Sequence, residues 1–405
     1  MTKTFHDVDI AVLGGGMTGL MMSEALARRL PPSQSAVVLE PRDGYEHDRT
    51  FCFWDVEDIG LEDCIQHKWQ KWSLRVGGEE HVAESKTYSY CHVPGDAFYK
   101  KMLSTIDGSS TTSMHLGTTA RDVSPQSSGF CRIETDHGEI TAKHVFDTRP
   151  SPALVEASTT LQHFVGWHVR TTRPVFDPTT VTLMDFDVPQ DHGLHFMYVL
   201  PFSETEAVVE STFFSRDVLA PEVYEKYIRG YLIGRYQLTL EDANDIEVVR
   251  RERGVVPMTT FTHPQPEVDS WHFLGTRGGF VRPATGYCFH ATGRWVQSHA
   301  AWLCEPKGQP PGLRSPGLLW LDSVLLSFID RHPHAAPGVF FRLFQRVQPD
   351  ALVRFLSDVG SVWDTFQVMC SMPVWPFVQE AAHLGIGQNK TIRLPQTGTK
   401  LGDIS

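Results

Sequence analysis

Glu210 and Asp185 are the acids whose surroundings could do chemistry. Glu210 lies in Ala207-Val208-Val209-Glu210-Ser211-Thr212-Phe213-Phe214. Read as a strand, this segment puts Val208, Glu210, Thr212 and Phe214 on one face. A carboxyl among valines and phenylalanines is costly to bury ionised, so burial there would raise its pKa and favour the neutral acid. A carboxylic acid kept protonated near pH 7 is a general acid. The plainer reading is a strand glutamate facing solvent, and the alternation by itself favours that. Asp185, in Leu183-Met184-Asp185-Phe186-Asp187, would orient Glu210 or stabilise positive charge; an ordinary strand-end aspartate fits equally.

A second group has the spacing to hold phosphates. The apolar run Asp9-Ile10-Ala11-Val12-Leu13 meets Gly14-Gly15-Gly16-Met17-Thr18-Gly19, a G-x-G-x-x-G, followed by a helix-forming stretch from 20 to 30. Ala36-Val37-Val38-Leu39 reads as the next strand and Glu40 closes it. The glycine pattern alone is weak, but strand, helix and terminal acid together make a dinucleotide fingerprint. Gly14 permits the tight turn, Gly16 lets backbone approach a pyrophosphate, and Gly19 lets helix and strand pack closely. The helix N-terminus offers unpaired N–H groups to the phosphates. Glu40 is placed for a ribose 2′-hydroxyl, which favours FAD or NAD over NADP. Arg49, in His47-Asp48-Arg49-Thr50-Phe51-Cys52-Phe53-Trp54, would neutralise cofactor charge or lie on the surface ahead of a core strand.

Composition excludes several classes. With 405 residues, the chain is long enough for two or three domains. A formal charge of −12 argues against sequence-independent nucleic-acid binding and against electrostatic docking on anionic lipid. Seven scattered cysteines without a C-x-x-C fit free thiols in a reducing cytosol. There is no apolar signal core at the N-terminus and no run of about 18 apolar residues, so a cytoplasmic protein is expected, with peripheral membrane contact left open. No G-x-S-x-G, H-E-x-x-H or P-loop lysine occurs, and His332-Pro333-His334 reads as loop, so no metal site is expected.

The elements that must position these residues fall into four stretches. Residues 1–160 carry the first part of the nucleotide-binding domain. Residues 161–264 hold longer aromatic strands, the pattern of an antiparallel sheet with one covered face. Nucleotide-domain texture returns over 265–310, with Trp271-His272-Phe273-Leu274 as a strand, glycine turns at Gly275–Gly279, and Thr285-Gly286 leading into a helix. Residues 311–405 read as mostly helical. There Leu318, Leu321, Val324, Leu325 and Phe328 form one apolar stripe and Phe340, Phe341 and Phe344 another. Both fit core packing, or a cap that admits a greasy substrate. The expected fold class is α/β (α+β): a discontinuous Rossmann-like FAD-binding domain with an inserted antiparallel β substrate domain and a helical C-terminal region.

Segments across nearly the whole chain resemble the bacterial FAD-dependent lycopene cyclase family. Asp48 to Trp54 is similar to its D-R-T-W-C-F-W stretch, with Phe51 in place of tryptophan. Leu161-Gln162-His163-Phe164-Val165-Gly166-Trp167 resembles L-Q-H-F-x-G-W, and Leu183 to Phe186 resembles L-M-D-F. Phe196 to Pro201 with Val209 to Ser215 resembles F-x-Y-v-L-P followed by v-E-x-T-x-x-S. Gly254-Val255-Val256-Pro257-Met258, Ala284-Thr285-Gly286-Tyr287, Phe355-Leu356-Ser357-Asp358 and Met369-Cys370-Ser371-Met372-Pro373 extend it.

The resemblance implies FAD, active when reduced by an external NAD(P)H-dependent donor, and cyclisation of a linear isoprenoid without net redox change. It makes Glu210 the acid that protonates a terminal double bond. Gly14, Gly16, Gly19, Glu40, Arg49, Gly275, Gly279, Thr285 and Gly286 become the cofactor-binding candidates. The Cys288-Phe289-His290 segment and the tryptophan-rich stretch to Trp302 depart from the pattern and leave open a shorter isoprenoid or a prenylated aromatic. A FAD-dependent monooxygenase of the same architecture is the alternative. A bilayer-dissolved substrate would require an apolar surface for lipid contact, for which the stripes between 318 and 344 are the candidates.

Overall fold

The computed structural model describes residues 7–158, 160–238 and 245–385. Val8–Leu13 lies at the centre of the first sheet, flanked in parallel by Ala36–Leu39 and Gly138–Asp147. Thr112–His115 adds in parallel beside Ala36–Leu39, while Cys131–Thr135 and Ala120–Pro125 continue the other side antiparallel. The central strands are buried on both faces, which is why they read as unbroken apolar runs. Helix Met17–Arg29 covers one face through Leu20, Met22 and Leu26. The expected discontinuity is present: Trp271–Phe273 pairs in parallel with Val145–Asp147, and helix Phe289–Ser298 packs on helix Met17–Arg29.

The second sheet runs in the order Ile246–Met258, Thr160–Thr171, Glu206–Ser215, Leu194–Pro201, Thr180–Asp185, Lys71–Val76 and Glu79–Glu84. Its last two strands come from within the first 160 residues. Trp72 and Leu74 explain why, since both are fully buried in one cluster with Val181 and Leu183. On the other face, helix Pro221–Tyr236 packs through Tyr224, Ile228 and Leu232 against Val209 and Phe213. A small third sheet, Thr50–Trp54, Tyr90–Pro94 and His67–Trp69, meets the second sheet where Thr50 and Tyr90 hydrogen-bond its side chains.

The tail is helical as expected: Pro316–Arg331, Ala336–Arg346, Pro349–Leu356, Val362–Ser371 and Val374–Leu384. Its two apolar stripes turn inward. Phe340 and Phe344 join the cluster containing Leu183 and Phe186, and Phe328 packs beneath them. Val324, Phe328, Phe340 and Phe344 are thus buried and withdrawn from any lipid contact, while Leu318, Leu321, Leu325 and Phe341 stay half-buried. A group of exposed apolar side chains lies further on in the tail, with Trp363 65% and Trp375 77% exposed alongside Phe366 and Met369. Among the described residues no helix is long and apolar enough to cross a membrane.

Candidate active site

The alternation around Glu210 places it as expected, with Val208 and Phe214 in the core shared with the helical tail and Val209 and Phe213 in the opposite cluster. The plainer reading of a solvent-facing glutamate does not hold. Glu210 is buried, and Thr212 Oγ1 donates to its Oε1 at 2.5 Å.

Register brings a second carboxyl to it. Gly166 pairs with Glu210 on one side and with Glu252 on the other, and Glu210 in turn pairs with Tyr198. Glu252, Gly166, Glu210 and Tyr198 thus form one row across the sheet. Gly166 has no side chain, and a Cβ there would sit 3.2 Å from Glu252 Cγ and 3.6 Å from Glu210 Cβ. The buried Glu252 carboxylate is held through Oε2, which accepts from Thr50 Oγ1 at 2.8 Å and Arg250 Nη1 at 2.7 Å. Burial, and secondarily the charge of Glu252, pushes Glu210 up to about 8, against the opposing hydrogen bond from Thr212. Glu210 is accordingly neutral at pH 7, in the protonation state a general acid needs.

Phenols and a thiol surround the row. The Tyr198 and Tyr90 hydroxyls are 2.9 Å apart, and burial raises both well above the usual phenol range. Cys52 hydrogen-bonds Tyr198 and is pushed up to about 12, chiefly by burial and then by the nearby carboxyls. Tyr287 hydrogen-bonds Tyr90 and also lines a cavity of about 290 Å³. That cavity lies between the sheet and the tail helices, walled by Phe214, Met184, Leu325, Phe344, Met369 and Phe377 among others. Phe214 shares its sheet face with Glu210, so acid and cavity occupy one side of the sheet. Arg282 and Asp322, both buried, form a charged patch in the cavity wall. Asp322 Oδ1 sits 3.4 Å from the guanidinium, Oδ2 takes no hydrogen bond from the described residues, and burial raises the carboxyl above its usual range.

The glycine turn has the shape the fingerprint needs. Gly14 adopts φ +96°, and a Cβ on Gly19 would lie 1.9 Å from Gly14 O, so neither position takes a side chain without strain. Among the described residues, a Cβ on Gly16 would meet nothing within 4 Å and no side chain caps helix Met17–Arg29. Open space above uncapped N–H groups fits a pyrophosphate. Glu40 is buried beneath the turn, accepting from Gly15 N at 2.6 Å and Arg42 Nε at 2.7 Å, and Tyr45 OH donates to Gly15 O at 2.7 Å. Gly275, at φ +63°, abuts Thr18 at the helix start, and Gly279 takes φ +80° in the same turn. Gly286, at φ +71°, rests on Gln162, and Thr285 lines the cavity. The two nucleotide segments and the sheet therefore converge.

Asp185 lies apart from Glu210, and Arg49 takes the surface position, one of its two readings from the sequence. Asp185 does not orient Glu210. It accepts from Tyr231 OH at 2.9 Å and lies 3.6 Å from Arg75, against the helix on the sheet's other face. A register shift between Thr182 and Asp185 breaks the alternation and turns it there. The Arg49 side chain is 46% exposed and engages Asp48, whereas its backbone carbonyl accepts from Gly95 N. Sequence alone gives no site role to Arg42, Tyr45, Tyr90 or Glu252, and marks Tyr198 only as part of the F-x-Y-v-L-P match. Arg42 lies two residues after Glu40 and had a local signal; the others arrive through long-range pairing.

Comparison with known proteins agrees with this arrangement. The lycopene beta-cyclase of Paracoccus sp. is 33% identical over 180 residues, which is 42% of this chain and 43% of that protein. The lycopene beta-cyclase of Pseudescherichia vulneris is 23% identical over 347 residues, covering 84% of this chain and 82% of its own. Among solved structures, a single-site mutant of halogenase PltM in complex with FAD superposes with TM-score 0.56 at 11% identity, over 92% of this chain and 87% of that one. This likeness speaks to the fold. The sequence model of the lycopene cyclase protein family matches residues 9–382, from the central strand of the first sheet into the last described helix. The nucleotide turn, the acid row and the apolar cavity all fall within that span, and the chain belongs to the lycopene cyclase family.

Proposed function

We propose that the protein closes six-membered end rings on a linear isoprenoid, with lycopene as the substrate, by acid-driven cyclisation without net redox change. The observation that carries this reading is Glu210, a buried neutral acid on the sheet face that continues into the apolar cavity. Glu210 protonates the terminal double bond and leaves a tertiary cation. An internal double bond attacks the cation, and loss of a ring proton gives the alkene. The cavity keeps water away from the cation, and the Tyr90, Tyr198 and Tyr287 ring faces stabilise it.

The turn residues Gly14, Gly16 and Gly19 with the helix N-terminus, Glu40, the Gly275–Gly279 turn and Thr285-Gly286 would hold FAD. When bound and reduced, FAD supplies fixed negative charge beside a developing cation. Its reduction is assigned to an external NAD(P)H-dependent donor. The exposed patch of Trp363, Phe366, Met369 and Trp375 is assigned to lipid contact, because Met369 also lines the cavity and a bilayer-dissolved substrate enters there.

Expression in a lycopene-accumulating bacterial host tests the reading by pigment chromatography. Wild type should convert the lycopene peak to cyclic products, and Glu210→Gln should abolish conversion while retaining FAD. An unchanged peak with soluble holo-protein present, or oxygen from O₂ in the product, would sink it, the latter in favour of a monooxygenase.

A further inference from the structure

We infer that Glu252 is the proton acceptor of the same reaction, forming with Glu210 an acid–base pair divided by Gly166. This rests on the cyclase reading above and assigns the half of the proton cycle that Glu210 leaves open. Both carboxyls are buried, and both belong to one transverse row with a single strand between them. Two strand spacings put their Cα atoms about 10 Å apart, which leaves the side chains room to converge on one six-membered ring.

Their surroundings set them in opposite roles. Glu210 has Thr212 as its hydrogen-bond partner and, among the described residues, no cation acting on it. Glu252 has the Arg250 guanidinium and the Thr50 hydroxyl, and Arg250 Nη2 also donates to Thr50 at 2.8 Å, which fixes the group. A cation and a donor stabilise the ionised form of a carboxyl. Both contacts fall on Oε2. Oε1 is turned toward the gap, 3.4 Å from where a Cβ on Gly166 would stand. One carboxyl is thus arranged to arrive protonated and the other to arrive as a base, the division that separates acid from base in paired-carboxyl sites.

The cycle balances. The Glu210 O–H bond breaks as a C–H bond forms on the terminal alkene, leaving a tertiary cation. The internal π pair makes the ring C–C bond and moves the cation into the ring. A C–H bond on an adjacent ring carbon breaks, its electron pair becomes the ring double bond, and the proton goes to Glu252 Oε1. No electrons leave the substrate. Glu210 ends ionised and Glu252 neutral, and passage of one proton from Glu252 to Glu210 restores both.

The test uses full-length holo-protein in lipid vesicles with lycopene, comparing wild type, Glu210→Gln, Glu252→Gln and Glu252→Asp. Readouts are turnover, ring-isomer ratio over long incubation, water-captured alcohol, bound FAD and thermal unfolding. Glu252→Gln should lower turnover about 100-fold or more, the scale of one lost proton-transfer group. It should retain FAD and shift residual product toward isomers formed by loss of a different proton, or toward the alcohol. Glu252→Asp keeps a carboxylate and should recover at least about tenfold over Glu252→Gln, by the same proton-transfer scale. Unchanged turnover in Glu252→Gln, an isomer ratio and alcohol yield that both stay unchanged, or no recovery in Glu252→Asp overturns the pair while an inactive Glu210→Gln leaves the cyclase reading standing. A wild type that forms no ring, or an active Glu210→Gln, overturns that reading and the pair with it.

Discussion

Glu210 and Glu252 lie in one transverse row of the second sheet, and Gly166 is the residue between them. A side chain at 166 would wedge the carboxyls apart and shield each from the other. With glycine there, the anionic Glu252 adds to burial in keeping Glu210 protonated.

Activity should follow the protonation of Glu210. With its pKa at about 8, turnover holds near pH 7 and falls as pH rises past that value, by about tenfold per unit at the limit. A pH–rate profile with FAD occupancy checked at each point measures this. A profile flat to pH 10 would remove Glu210 as the acid.

Stability carries the same signature with a defined sign. The folded value lies above the ordinary 4.5, so the native state binds more protons between those limits. The group's contribution is complete below about 4.5 and is lost as pH rises through about 8, with a slope of about 1.4 kcal/mol per unit. Glu210→Gln lacks this dependence. Chemical denaturation of both proteins at several pH values between 5 and 8 should show wild type losing stability relative to the variant.

Gly166→Ala should lower turnover by tenfold or more at a stability cost of about 1–3 kcal/mol, the usual penalty for overpacking. Steady-state rates together with urea unfolding separate the two effects. A fully active Gly166→Ala would show that the gap between the carboxyls can be filled without harm.

Gly19→Ala acts on the nucleotide turn. Its Cβ would meet a backbone oxygen, Gly14 O, and no rotamer change relieves that contact. Loss of flavin absorbance from the purified protein is expected, with a lowered melting temperature. Retention of stoichiometric flavin would contradict the close packing of helix on turn.

Val324→Phe projects into the cavity from helix Pro316–Arg331. Because space is available, stability should change by less than about 1 kcal/mol, below the normal overpacking range. Isoprenoid conversion should fall several-fold while flavin binding is unaffected. Unimpaired conversion would move the substrate elsewhere.

Trp363→Ser with Trp375→Ser should reduce co-sedimentation with neutral liposomes at least several-fold. Both rings are mostly exposed, so stability should stay within about 0.5 kcal/mol per site. Unchanged sedimentation would leave the patch without a lipid role.

Strand faces and the nucleotide turn were legible because both are local. Period-two alternation put Val208, Glu210, Thr212 and Phe214 together, and glycine spacing marked Gly14 to Gly19. Glu252 was hidden because Arg250-Arg251-Glu252-Arg253 reads as a solvated charged edge, and its burial depends on Thr50, 202 residues away in sequence. The sheet face that Asp185 takes is not legible, because an irregular register shifts side-chain parity with no local sequence mark. The helical stripes were legible as stripes. Which way they faced depended on packing against a distant sheet.

The pairing of Val145–Asp147 with Trp271–Phe273 also constrains how the molecule is made. The first sheet waits for a strand that begins 124 residues after Asp147. At about 5–20 residues per second of synthesis, that is roughly 6–25 s during which the emerging chain holds an open edge beside Gly138–Asp147. The second sheet is synthesised inside that interval and can gather its own core first. The nucleotide half is thus the earliest to begin and among the last to be completed on the ribosome.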